Sequence, residues 1–282
     1  MKFILPAVIL GISSISLLSC GGSVGKAPET ALSDTVAVPE GCTALVFVDE
    51  FDIDGMPDST KWNYEHGYLR NTELQYYTTA RAENARVEGG ALHITACADS
   101  AVIDGEMRPV TSASLITRGK HEWKYGYVEV RAKLPEGLGT WPAIWMMPAD
   151  RSYGKWPTCG EIDIMENVGY MPDKIHFSAH CESYNHVKNT QKTHVIEVPD
   201  VQKGFHTYAL RWTPDSLTWY MDGVSQYTVE READATYREW PFDKPFYIIL
   251  NFAFGGAWGG NQGVDMSALP LEFVIDYVRV FQ

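Results

Sequence analysis

Short alternating runs broken by turn residues dominate the chain from about residue 43 onward, and they leave little choice of fold. YGYVEVRAKL (125–134), THVIEV (193–198), HTYALRW (206–212) and LEFVIDYVRVFQ (271–282) all alternate apolar with polar positions, the period of a strand buried on one face. In LTWYMDGVSQYTV (217–229) the pair Asp222-Gly223 separates two aromatic and β-branched runs, a strong signal for a two-residue hairpin. No long stretch carries a helical period, and ADATYREW (233–240) is the one place for a turn or two of helix. Many short strands at regular spacing predict an all-β chain folded as a two-sheet antiparallel β-sandwich. No internal repeat or second linker divides residues 43–282, so they read as one domain and the protein as a monomer.

Composition narrows the partners. The 282 residues are 45% hydrophobic and carry a net charge of −13 with no Lys/Arg-rich stripe. Nucleic acid and anionic membrane surfaces are thereby disfavoured, because phosphate binding needs clustered positive charge. The 9 Trp and 15 Tyr suit a groove that stacks flat rings on a neutral polymer with apolar CH faces, such as a polysaccharide.

The first residues read as an export signal. MKFILPAVILGISSISLLSC has a short basic start, an apolar run and small residues at its end. Leu17-Leu18-Ser19-Cys20 resembles a bacterial lipobox, which implies cleavage after residue 19 and lipid attachment at Cys20. Residues 20–42, rich in Gly, Ser, Pro and Ala, read as a flexible tether. The expected location is the cell envelope, at the outer membrane or cell surface, with the lipid as the only membrane contact. An oxidising compartment permits disulfides among Cys42, Cys97, Cys159 and Cys181, in any of three pairings. No Cys/His spacing points to zinc, and no catalytic metal is expected.

WPTCGEIDIMENVGY (156–170) holds Glu161, Asp163 and Glu166 within six positions. Strands disfavour acids, and like charges in a row repel, so the plain reading of such a row is a solvent-facing edge strand. Glu161 and Asp163 share a face, whereas Glu166 has the wrong parity. A β-bulge at Ile164–Met165 would reset that parity and return Glu166 to the same face. The two glutamates would then stand about 13 Å apart at Cα, and long side chains leaning inward reach the roughly 5–5.5 Å of a retaining glycosidase pair. Asp163, too short to reach a substrate from the middle, would hydrogen-bond its neighbours and shift their pKa values. The following run, KIHFSAHC (174–181), should pair antiparallel with the acid strand. One register sets His180 opposite Glu161 with His176 near Glu166; a slip of one residue sets Cys181 opposite Cys159 instead. The first is the reading adopted.

GEIDIMEN, with GTWPAIWMMP (139–148) upstream, resembles the laminarinase-like branch of glycoside hydrolase family 16. The likeness runs from VFVDEFD (46–52) through NTELQYYT, ENARVEGGALHIT and LNFAFGGAWGG to IDYVRVFQ (275–282). It implies a concanavalin-like jelly roll with a substrate groove on its concave sheet. It also implies endo-acting, retaining hydrolysis of β-glucans containing 1,3 linkages, needing no catalytic cofactor. By the same resemblance Glu161 is the nucleophile, Glu166 the general acid/base and Asp163 the assisting carboxylate. Trp141, Trp145, Trp156 and Trp258 are expected to line the groove, against the alternative that they pack the core. Trp141 and Trp145, an even number apart, share a face on a regular strand. His180, Asn71 and Asn251 are expected near substrate, with Arg118 a further candidate. A structural Ca2+ is implied on the convex side, held by Asp276 with backbone oxygens near Glu50 and Gly90. The rival readings are a β-glucan-binding module without catalysis and a family member acting on a galactan.

Overall fold

A computed structural model describes residues 36–282; the expected export signal and Cys20 lie outside the described residues. In chain order the strands begin β1 (Leu45–Asp49), β2 (Asn63–Tyr64), β3 (Tyr76–Tyr77), β4 (Ala85–Glu88), β5 (Ala91–Ala96), β6 (Ala101–Ile103) and β7 (Glu106–Arg108). Next come β8 (Thr111–Ser112), β9 (Ser114–Ile116), β10 (Gly126–Lys133), β11 (Thr140–Pro148), β12 (Glu161–Glu166) and β13 (Lys174–His180). The last are β14 (Lys192–Glu197), β15 (His206–Trp212), β16 (Ser216–Met221), β17 (Val224–Glu230), β18 (Phe246–Phe254) and β19 (Leu271–Phe281). A single helical turn, α1 (Gly256–Gly259), follows β18.

Two antiparallel sheets face each other, as the alternating pattern requires. One has eight strands, ordered β17-β16-β15-β10-β19-β5-β4 with β1 also on β19; the other has seven, ordered β14-β13-β12-β11-β18-β9-β2. Between them Ile144, Ile162, Phe177, Ile248, Leu250 and Phe252 of the seven-stranded sheet meet Val128, Val130, Leu210, Trp219, Ile275 and Val278 of the other. Each large apolar side chain so buried contributes about 1.5–3 kcal/mol. A one-residue slip of any central strand would turn that whole set outward, so register is tightly held. β18 is buried at all nine positions because it is central, with the core on one face and packed side chains on the other.

Local signals behave as their chemistry suggests. Asp222 and Gly223 adopt φ of 49° and 75° between β16 and β17, the left-handed pair of a tight hairpin. ADATYREW forms one turn, closed by the Trp240 N–H on the Thr236 carbonyl at 2.8 Å, and does not propagate into a helix. Within the segment read as a tether, Val36 and Cys42 pack against Tyr127, Ala209 and Phe281. All four described cysteines are free thiols. Cys159 packs with Met147 and Tyr247, whereas the Cys181 Sγ turns to the Glu239 carbonyl 3.4 Å away, so the two do not face each other.

Candidate active site

β12 lies in the interior of the seven-stranded sheet, between β11 and β13, so its acid row is not an edge decoration. Asp163 stands opposite Ser178 and Glu166 opposite His176, leaving Ile164 and Met165 together against the single residue Phe177. The ladder with β11 shifts at the same place, from Trp145↔Asp163 to Ile144↔Met165. Adjacent residues normally face opposite ways, yet Ile164 and Met165 are both fully buried in the core. That is a β-bulge, and it returns Glu166 to the face of Glu161 and Asp163. One backbone contact shows how the kink is held: the Asp163 carbonyl accepts the Trp219 indole N–H at 2.8 Å, from β16 across the core.

The register also sets His180 opposite Glu161. Its Nε2 lies 3.2 Å from an Asp163 oxygen and 3.7 Å from a Glu161 oxygen. At the other end of the row the Trp141 indole donates to Glu166 at 3.0 Å. Burial raises the pKa of all three carboxylates well above the ordinary range. Asp163 adds repulsion at both glutamates, while His180 at each, and the Trp141 N–H at Glu166, favour the charged form. A set like this can keep a proton on one glutamate near neutral pH while its neighbour is ionised, the pairing that acid-assisted nucleophilic attack requires. His176, opposite Glu166, is pushed down to about 4 by burial and is therefore neutral.

Aromatic rings flank the row. Trp141 and Trp145 are the two partly exposed positions of β11 and share a face, as their even spacing requires. Trp258, on α1, meets Trp141 edge to face at 5.4 Å and His176 at 4.9 Å. Trp156 lies 6.2 Å from His180 and 4.9 Å from His186 at the opposite end. Asn251 is only 4% exposed, with its amide between the Trp145 indole and the Tyr77 hydroxyl. Asn71 sits in a turn at φ 55° and donates to Glu73. Arg118 stacks over Tyr247.

Sequence reasoning missed Arg70, Glu73, Tyr77 and His186. Arg70 is paired with Glu65 and lies 4.9 Å over the Trp145 ring. A signal for two of them was present: in TELQYY the residues Glu73, Gln75 and Tyr77 recur with period two, a polar row on one face, and all three are buried.

The family model for glycosyl hydrolases family 16 matches residues 72–279. The chain belongs to this family. A β-glucanase of Rhodothermus marinus is 51% identical over 247 residues, covering 84% of this chain and 85% of that protein. The crystal structure of the laminarinase from Rhodothermus marinus superposes with a TM-score of 0.80 at 50% identity, covering 84% of this chain and 96% of that one. A family 16 non-specific endo-β-1,3(4)-glucanase, crystallised with a β-glucan tetrasaccharide, gives 0.82 at 45% identity over 87% of this chain and 96% of that one. The protein is accordingly a glycoside hydrolase with the jelly-roll fold, and the two-carboxylate chemistry of such enzymes needs no cofactor.

The implied calcium residues of this family 16 hydrolase fall on the eight-stranded sheet, away from the acid row. β1 and β5 share one edge of β19: β1 pairs as far as Val278 and β5 begins at Ile275. Asp276 stands in the gap between them, at a register shift against β10, with Glu50 just beyond β1 and Gly90 just before β5. The three positions thus converge from separate strands. An oxygen-only set of this kind suits calcium, although the Arg131 guanidinium already holds one Asp276 oxygen at 2.7 Å.

Proposed function

We propose that this protein cleaves β-glucans containing 1,3 linkages inside the polymer, acting on both laminarin and mixed-linkage 1,3/1,4-glucan with retention of configuration. The observation that carries the reading is the bulge at Ile164–Met165, which sets two glutamates and an aspartate on one aromatic-flanked face. Glu166 protonates the leaving oxygen while Glu161 attacks the anomeric carbon. Glu166, now a carboxylate, then takes a proton from the water that releases the sugar. Asp163, between the two glutamates, disfavours charge on both of them at once. Trp141, Trp145, Trp156 and Trp258 supply stacking surface for successive glucose rings.

The test is product analysis after incubation with laminarin, barley β-glucan, cellulose, agarose and xyloglucan. Oligosaccharides are expected from the first two; products from only the last three would overturn the assignment. Glu161→Gln should abolish turnover while laminarin still binds in affinity electrophoresis, and retained turnover would remove the nucleophile.

Export and lipid attachment at Cys20 rest on the lipobox-like Leu17–Cys20, and labelling with a radioactive fatty acid that Cys20→Ser eliminates would support them. A structural calcium at Asp276, with Glu50 and Gly90, rests on the gap in the β19 edge. It should raise the melting temperature when added after chelation, and Asp276→Ala should lose that increment.

A further inference from the structure

The groove face carries a hydrogen-bond chain whose polarity is fixed at both ends. The Trp145 indole can only donate, and it donates to the Asn251 carbonyl oxygen at 2.7 Å. Asn251 must therefore turn its NH2 the other way, where it donates to the Tyr77 hydroxyl at 2.9 Å. Tyr77, with its oxygen accepting, places its own proton on Glu73 Oε2 at 3.2 Å. Burial raises the Glu73 pKa, while the Arg70 charge and the donors around it favour the carboxylate, which can only accept. It takes Gln75 Nε2 on the same oxygen at 2.7 Å and Asn71 Nδ2 on the other at 3.3 Å. With Glu73 ionised, no link can be reversed without setting donor against donor. The chain spans sequence separations of 106 and 174 residues, so it ties segments that nothing local connects.

The same segment seats a second aromatic residue. The Ala257 N–H donates to the Asn71 carbonyl at 2.7 Å, docking α1 and its Trp258 onto residues 71–73. Gly256 makes this approach feasible: at φ +77°, a Cβ there would stand 2.9 Å from the Asn71 oxygen and 3.1 Å from the Glu73 Cγ. Trp145 is thus gripped at its nitrogen by the chain and across its ring by Arg70, while Trp258 rests on the loop that holds Glu73.

We propose that Glu73 is a positioning residue for glucan binding, orienting Trp145 through Tyr77 and Asn251 without touching the reacting atoms. Asn251 then belongs to the apparatus that aims the aromatic wall, and the sugar contact falls to Trp145. The inference rests on Trp145 being a glucan contact.

Its test is a double-mutant cycle on laminarin hydrolysis. Tyr77→Phe keeps the ring and cuts the chain in the middle. Losing about 1 kcal/mol of orientation should raise KM about fivefold and leave kcat within about twofold. Trp145→Phe keeps an aromatic ring but removes the N–H, and should raise KM similarly. The double variant should match Trp145→Phe alone, because the chain has nothing left to orient. Glu73→Gln, which turns part of the terminal acceptor into a donor, should behave like Tyr77→Phe. A KM for Tyr77→Phe within about twofold of the parent, or effects that multiply in the double variant, would overturn the proposal. Trp145→Ala separates the premise from the chain: an unchanged KM there would remove the glucan contact, and the inference with it. Should Glu73→Gln fail to fold, the Tyr77/Trp145 cycle still decides.

Discussion

At the scale of single residues, what distinguishes the acid row is how differently its two ends are held. His180 stands beside Glu161 and Asp163, whereas Glu166 receives the Trp141 indole N–H. A donor on a carboxylate favours its charged form and lowers its pKa. Trp141→Phe keeps most of the ring and removes that N–H, so the Glu166 pKa must rise. In the proposed mechanism Glu166 acts first as an acid, so its pKa would set the alkaline limb of kcat/KM. That limb should move to higher pH by about half to one unit, the worth of roughly 1 kcal/mol. The measurement is a pH profile on a soluble oligosaccharide; a limb that stays put or moves toward acid would show that the indole does not govern the proton. Because the row titrates as a group, the limb reports a property of the set.

At the scale of elements, the bulge in β12 is the decisive irregularity, and much of it was legible beforehand. Parity excluded a regular strand for Glu161, Asp163 and Glu166 on one face, and Ile164–Met165 was the apolar pair able to absorb the extra residue. Antiparallel pairing left two registers for the next strand, and the preferred one, with His180 opposite Glu161, is the one observed. The strands themselves were equally plain, since period-two alternation is a local property. Contacts between distant segments were not legible. Nothing near Trp219 announces that its indole reaches the Asp163 carbonyl 56 residues away, and nothing near Asn251 announces Tyr77. Periodicity assigns a side chain to a face; it does not name the partner across the core. Trp219→Phe tests the first of these contacts. It leaves a carbonyl inside the core without that donor, at a cost of about 1–3 kcal/mol. A kink relaxed by a fraction of an ångström misaligns Glu166 with Glu161, so kcat should fall about tenfold or more with KM less affected. Unimpaired kcat would mean that the flanking ladders hold the bulge unaided.

For the molecule as a whole, the sandwich carries its chemistry at a cost in stability. Each acid of the row has a folded-state pKa raised above its unfolded value, Asp163 to about 8 from 3.8. Between those limits the folded state binds more protons than the unfolded chain, so stability must fall as pH rises. The penalty shrinks as pH falls toward 4 and is gone well below it, where both states are protonated. Asp163→Asn removes the charge that repels both glutamates and keeps the shape. At pH 8 it should raise the melting temperature by about 2–4 °C, corresponding to about 1 kcal/mol in a domain of this size. At pH 4 it should change little, and hydrolysis should drop at both. Scanning calorimetry of the two proteins at the two pH values decides the matter. An equal gain at both would point to packing, and a loss at pH 8 would show that His180 and the surrounding dipoles already compensate the charge. The direction matters beyond one residue: a sheet that must bury Ile162, Ile164 and Met165 on one side of a strand can hold three acids on the other only while the core outweighs their repulsion.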